Sequence, residues 1–458
     1  MIGACSLGNA QLALQSFRLG LPIALSQLAK HSVSTACFWF AATLGINAVA
    51  VVGLALVPAG FAVLIASGFF SSIFAVAGNK SEQSVSGQSL CETFYASWVW
   101  LAVLSLPIYV VSALITSFIA HSLSGQIDVQ LFYQLNLIFI CGVPAQIIAV
   151  VCSNTLHLVK RTRFELGTTL ASLITFITAN LLIFEVGVSL SEHQLLDMAL
   201  ALLGTRYVSA LALMAYLVVD QKIGLPTDLR SLASPKLAAM ALLGLPLALT
   251  WGSEGLFYVI LNTFSASFEA AQLAIYQSAL NLFTLCFVFF IGFSTSASIV
   301  TRYHEGAPVS VYSRINGVIA LNAAIATTIS IFISIFGDEI AEIYIKDANT
   351  AELMARAILF VAILMPFEMI ILTIRAILRN FGDVIFPSLS VIVANFAFGI
   401  PCAYLFGVIY NWQSYGFLAA SGATAILTLI ILGARMHRFV QRLDQTFGAT
   451  SRGHLVNE

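Results

Sequence analysis

Leu19-Gly20-Leu21-Pro22-Ile23-Ala24-Leu25 returns as Leu243-Gly244-Leu245-Pro246-Leu247-Ala248-Leu249, and the register of 224 residues that relates the two runs on through the chain. It brings Ala50 onto Ala274 and Gly68-Phe69 onto Gly292-Phe293, while Val143-Pro144 falls near Met365-Pro366, two residues off. Half of this 458-residue sequence therefore repeats the other half. Two similar halves that enclose a site and rock against each other are the organisation of a transporter.

Composition says where those halves reside. The chain is 59% hydrophobic and 9% charged, with a mean hydropathy of +0.96, whereas about a quarter of the residues of a soluble domain carry charge. About 20 apolar residues cross the hydrocarbon as a helix. Such stretches are predicted at 17–43, 47–77, 93–119, 131–158, 164–188 and 194–219, and again at 237–263, 271–300, 311–336, 351–377, 384–408 and 413–434. The expected fold class is an all-α integral membrane protein of twelve transmembrane helices in two six-helix lobes. Residues 1–219 form the first lobe, 220–236 a cytoplasmic linker, 237–440 the second lobe and 441–458 a cytoplasmic tail. Because each half has an even number of spans, both enter the membrane from one side, and the repeat is parallel about an axis along the membrane normal.

Lysine and arginine mark the cytoplasmic side. Fifteen of the twenty, Lys160, Arg161, Lys222, Arg230 and Arg438 among them, lie at the N-terminus, in loops that follow even-numbered spans or in the C-terminal tail, against Lys346 and Arg356 opposite. Both termini are thus expected in the cytoplasm, in a multi-pass protein of the plasma membrane, the inner membrane of a bacterium. The first helix itself is expected to direct insertion, since no cleaved signal is evident. The basic run Arg435 to Arg442 reads as an anchor at the membrane surface with no nucleic-acid role. Seven cysteines, an odd number without ligand spacing, read as small apolar residues.

Six ionisable residues sit well inside predicted spans, away from their ends: Lys30, His31, Arg206, Glu254, Glu368 and Arg375. A charge at mid-membrane costs about 2.5 to 3.5 kcal/mol on insertion scales, so such groups face a bundle interior or an aqueous cavity. Glu254, Tyr258 and Asn262 follow at i, i+4 and i+8, giving one helix face a carboxylate, a phenol and an amide. Gln277, Asn281 and Thr284 repeat at i, i+4 and i+7 on the next helix. The two faces look into one cavity or else hydrogen-bond across helices to hold the bundle together. Glu368 follows Pro366, and Arg375 stands two turns further on, near enough to the cytoplasmic end to snorkel. Glu254 and Glu368 together are the candidate site for a sodium ion or a proton. Lys30, His31 and Arg206 give the first half buried positive charge, for an anionic part of a cargo, for gating, or for bonds to backbone carbonyls. Pro22, Pro144, Pro246 and Pro366 are expected to bend their helices.

At these residues the chain resembles the multidrug and toxic compound extrusion, or MATE, transporters over nearly its whole length. Ala271-Gln-Leu-Ala-Ile-Tyr-Gln-Ser-Ala-Leu-Asn281 with Gly292-Phe-Ser-Thr-Ser-Ala-Ser298 is similar to the family's eighth helix. Gly244 to Glu254 resembles the seventh and Arg375-Ala-Ile-Leu-Arg-Asn-Phe-Gly-Asp383 the end of the tenth. Asn395 through Leu405 and Tyr415-Gly416 look like the eleventh and twelfth. The resemblance implies a V-shaped pair of lobes, antiport of sodium or protons against organic compounds, and an ion site of the second lobe at Glu254 and Glu368. The first helix departs from the pattern, because Cys37 stands where many members have an aspartate. The fifth helix, Thr178-Ala-Asn-Leu-Leu-Ile-Phe184, lacks the acid some members use.

The expected partners are a small organic cargo, a coupling cation and the bilayer, with one copy of the chain sufficing. Neither a cofactor nor a metal beyond the coupling ion is implied. A flippase for a lipid-linked saccharide and a dedicated exporter of a secondary metabolite are the alternatives. No H-E-x-x-H, G-x-S-x-G or glycine-rich phosphate loop is present, which argues against an enzyme.

Overall fold

The computed structural model describes residues 2–77, 87–123, 125, 127–159, 161–187, 193–220, 223, 235–302, 311–383 and 385–455. Lys80, Lys160, Glu192 and most of the 220–236 connection lie outside them. Twelve long helices follow in order: α1 (Ile2–Leu44), α2 (Ile46–Phe70), α3 (Gly87–Ser122), α4 (Val129–Leu158), α5 (Thr162–Phe184), α6 (Gln194–Val219), α7 (Pro235–Ser265), α8 (Ala270–Arg302), α9 (Val311–Ile335), α10 (Ala348–Asn380), α11 (Ile385–Ile409) and α12 (Gln413–Leu455). Short helices Ile73–Ala77 and Gly337–Tyr344 stand between them, and no strand occurs among the described residues.

Eleven of these helices are long and apolar enough to cross a membrane. The other, α1, has the length, 43 residues, but Arg18, Lys30 and His31 interrupt its apolar run. The protein is a multi-pass, all-helical membrane protein. Helix is the expected solution where hydrocarbon offers backbone groups no partner. Many hydroxyls inside the spans bond back to their own helix, as when Thr116 donates to Ser112 O at 2.8 Å and Thr250 to Pro246 O at 2.9 Å. Several predicted boundaries shift, and α1 begins at Ile2 rather than near residue 17. Helix α2 stops at Phe70, and Ser71 and Ser72 turn the chain before Ile73–Ala77. Helix α12 runs past the apolar stretch to Leu455.

At Pro22, Pro246 and Pro366 the helix continues without interruption. In α4 regular helix ends at Cys141 and restarts at Val143, with Pro144 in the new first turn. Helices α1 and α2 meet at Gly45, whose φ of +109° is a conformation that side chains with a Cβ disfavour. In α11 two wide-turn segments, Ala394–Gly399 and Tyr404–Ile409, flank Pro401.

By its contacts the chain forms two compact units. One comprises Met1–His31, Ala279–Ile343 and Ala348–Glu458, the other Ser32–Ser278 and Tyr344–Asp347. The repeat boundary and the unit boundaries are different lines through the sequence, since α1 and α8 each pass from one unit to the other part-way along.

Within the Ser32–Ser278 unit, α7 lies along α2. A Cβ on Gly244 would come 2.9 Å from Phe69 O, and one on Gly68 would come 2.8 Å from Leu247 O and 3.1 Å from Ala248 Cα. Within the other unit, α1 lies along α8 through the residues that the repeat register makes equivalent. A Cβ on Gly20 would come 2.8 Å from the Phe293 ring, and one on Gly292 would fall on Ala24 N, 2.5 Å from Ala24 Cα. Ser16 Oγ and Ser296 Oγ hydrogen-bond at 3.1 Å beside this crossing, and the Phe17 and Phe293 rings sit 5.7 Å apart. One crossing is thus made twice, each time between a helix of the first repeat and a helix of the second. Small residues permit such backbone approach, which drives helix association where lipid is as apolar as leucine.

The remaining helices close each bundle. In the Ser32–Ser278 unit α3 packs on α2 and α7, while α4 and α5 pack on α6. In the other unit α10 lies between α9 and α12, and α11 lies against α12. There a Cβ on Gly416 would sit 2.5 Å from Gly407 N, and Tyr415 Oη donates to Leu353 O at 2.8 Å.

Candidate functional site

Glu254 is half-buried on α7 in the Ser32–Ser278 unit. The helix is unbroken around it, so Tyr258, also half-buried, and Asn262, buried at 1% exposure, follow on the same face. Next to it the α7 backbone presses on α2, since a Cβ on Gly255 would meet Leu64 at 2.7 Å and Phe61 at 2.8 Å. The amides of α7 and α8 meet: Gln277 Nε2 donates to Asn262 Oδ1 at 2.6 Å, and Asn262 Nδ2 donates to Tyr258 O at 2.7 Å. Gln277 is 3% exposed, and a Cβ on Gly53 of α2 would lie 2.6 Å from it. These two amides therefore hold α7, α8 and α2 together, the second of the roles open to them in the sequence.

Arg206 sits mid-way along α6, half-buried beside the bend of α4. A Cβ on Gly142 would lie 3.2 Å from its Nη1 and 3.4 Å from its Cδ, so glycine makes room for the guanidinium. Tyr207 Oη donates to Cys141 O at 3.0 Å and props the same bend. Its ionisable neighbour is the Cys37 thiol of α1, which is fully buried and donates to Val33 O at 3.5 Å. Among the described residues Arg206 forms no hydrogen bond or ion pair with a carboxylate.

In the other unit Glu368 is half-buried on α10, between the fully buried Met365 and Met369. Arg375 is half-buried two turns on, and Asn281, 7% exposed, lies in the α8 segment of this unit. Lys30 and His31 are half-buried near the end of its α1 segment, and His31 Nε2 has no hydrogen-bond partner among the described residues. Glu254 and Glu368 thus fall in different units.

Several polar anchors escaped the sequence reading. Asn322 Nδ2 donates to Thr373 Oγ1 at 2.9 Å, fastening α9 to α10, and Asn380 Nδ2 donates to Ser298 O at 2.6 Å, fastening α10 to α8. His157 Nε2 meets Glu165 Oε2 at 2.6 Å across the α4–α5 connection, with Glu165 fully buried. No sequence spacing names the partner that each of these residues finds on another helix. Arg435 is committed to Asp383, its Nε 2.8 Å from Oδ2 and its guanidinium 4.8 Å over the Phe386 ring. No cluster of three or more His, Cys, Asp or Glu able to hold a metal ion occurs among the described residues.

A family profile described as MatE matches residues 22–182 and 246–405, well over half of the chain. The chain is 23% identical over 177 residues to a protein of Bacillus cereus named probable multidrug resistance protein NorM, across 38% of this chain and 39% of that one. It is 31% identical over 181 residues to the uncharacterized transporter YDR338C of Saccharomyces cerevisiae, across 38% of this chain and 26% of that one. The match thus spans less than half the length of these relatives. Among solved structures it is similar to a multidrug resistance MATE family transporter of the MOP superfamily in its inward-facing conformation, with a TM-score of 0.72, 17% identity, and coverage of 95% of this chain and 99% of that one. That likeness is one of fold.

Proposed function

Because the chain belongs to the MATE family of transporters, whose members are not enzymes and need no cofactor, we propose that it is a secondary antiporter. In this reading it exports small organic compounds in exchange for sodium ions or protons by alternating access, in a plasma membrane with both termini in the cytoplasm. Glu254 and Glu368, which fall in different units, each serve as a group that takes up a coupling cation. The observation that supports them is a half-buried carboxylate well inside each of two long apolar helices, α7 and α10. Hydrocarbon makes such a group costly, and it is retained where it does work inside a bundle. A cation that binds one conformation better than another shifts the balance between them by that difference in affinity. Charge exchanged at the two carboxylates is then what links the ion gradient to the movement of cargo.

Proteoliposomes holding the full chain and a fluorescent organic cation, driven separately by imposed sodium and pH gradients, test the reading. Glu254→Gln and Glu368→Gln are each expected to abolish gradient-driven movement. Retention of that movement by both variants discards the two carboxylates as coupling groups, and no movement by the parent under either gradient discards antiport.

A further inference from the structure

An arginine carries five N–H donors and stays charged in any protein environment, so a guanidinium at mid-span without a carboxylate is a group waiting for one. Arg206 is such a group in the Ser32–Ser278 unit. Its surroundings keep it open rather than satisfied. Gly142 contributes no side chain beside it, and Cys37, its ionisable neighbour, is a thiol whose own hydrogen bond goes back to Val33 O. The side chain is half-buried and so remains reachable by atoms from outside the packed interior.

A second unsatisfied group faces the same segment of α1. Asn180 of α5 is fully buried, its Nδ2 donating to Phe176 O at 2.8 Å, while its Oδ1 has no hydrogen-bond partner among the described residues. Phe176 and Phe184, one turn to either side of Asn180, both meet Phe40 of α1, with ring centroids 6.4 Å and 5.2 Å away. That face of α5 therefore looks at α1 around Phe40, and Cys37 lies one turn before Phe40. Donors without an acceptor and an acceptor without a donor thus border the same stretch of α1. Leaving either buried and unmet is costly.

We infer that Arg206 and Asn180 recognise an organic carboxylate with a neighbouring N–H or O–H group, Arg206 pairing with the carboxylate and Asn180 accepting from the donor. One guanidinium balances a monoanion, and its two parallel N–H groups match the two carboxylate oxygens. The inference deepens the export reading by giving the cargo its chemical class, and it rests on that reading.

The test uses the purified full chain in phosphatidylcholine nanodiscs and two dyes of nearly equal size, rhodamine 110, which has a free carboxylate and N–H groups, and its methyl ester rhodamine 123, which keeps the N–H groups and has no free carboxylate. Fluorescence polarisation, corrected with empty discs, is expected to give tenfold or tighter binding of the acid. Arg206→Gln should remove that preference and leave ester binding within twofold. Cys37→Asp, which keeps the guanidinium but supplies it with an internal carboxylate, should do the same, so a folding defect in one variant does not shield the inference. Equal binding of acid and ester by the parent, or a preference that survives in either variant, overturns it. So does loss of acid binding when phosphatidylglycerol enters the disc, which assigns Arg206 to a lipid headgroup. If the acid preference holds while no ion gradient moves either dye, the export reading fails and the site stands. If a gradient moves the ester but the parent shows no acid preference, only the site fails.

Discussion

Gly292→Ala is the most direct perturbation of the crossing that this chain makes twice. The added Cβ would fall on Ala24 N, 2.5 Å from Ala24 Cα, and both are backbone atoms that no rotamer change can move aside. Carbon atoms pack comfortably at about 3.5 to 4.0 Å, so α1 must retreat from α8 by about 1 Å. Overpacking against backbone atoms, which cannot swing aside, belongs in the upper part of the usual range, about 2 to 3 kcal/mol. Exchanging glycine for alanine in a helix returns at most about 1 kcal/mol, leaving a net loss of about 1 to 2 kcal/mol. At about 2 to 4 °C per kcal/mol for a domain of some 200 residues, the midpoint should fall by about 2 to 8 °C. The geometry also ranks the controls. Gly68→Ala meets backbone at 2.8 Å and should follow closely, whereas Gly20→Ala meets chiefly the Phe293 ring and the Ser296 hydroxyl, which can shift. Gly317→Ala in α9 meets nothing within 4 Å and should be neutral or slightly stabilising. Heating detergent-solubilised protein and following the monodisperse peak by size exclusion reads all four. A Gly292→Ala midpoint within a degree of the parent, or a Gly317→Ala midpoint that falls as far, would refute the account of the crossing.

A double-mutant cycle on Asn262→Ala and Gln277→Ala should give a coupling of about 0.6 kcal/mol, reaching about 1.7 kcal/mol at most, the range found for hydrogen bonds between membrane helices; additive effects in an unfolding titration would mean that the 2.6 Å bond does not hold α7 to α8. His157→Ala removes the imidazole from the fully buried Glu165. The expected loss is that of a hydrogen bond to a charged group, about 1.5 to 3 kcal/mol. Glu165→Gln, which removes the charge along with the pair, should lower the thermal midpoint less than His157→Ala does, and the opposite order would contradict the pairing.

Much of this fold is legible residue by residue, because crossing hydrocarbon is a local requirement. A span needs about 20 apolar residues and a backbone that satisfies itself, and eleven of the helices found lie where the apolar runs are, while α1 has the length but carries Arg18, Lys30 and His31. The candidate residues were visible for the same reason, since a carboxylate at 254 or 368 or a guanidinium at 206 is conspicuous in a chain with 9% charge. Partner choice is not local. The register pairs Gly20 with Gly244 and Gly68 with Gly292, but two copies of one sequence contain the same complementary surfaces. Nothing in either copy says whether a helix meets its own repeat or the other one. Only the assembled structure shows α1 on α8 and α7 on α2. The same holds for the polar groups. Whether Asn262 bonds Gln277, whether Asn322 finds Thr373 and whether any acid stands opposite Arg206 depend on neighbours that lie far along the chain or on another helix. Sequence alone determined which segments enter the membrane and which residues are costly there; the tertiary structure decided which of those costs are met, because hydrogen bonds and ion pairs are settled by what packing brings within about 3 Å.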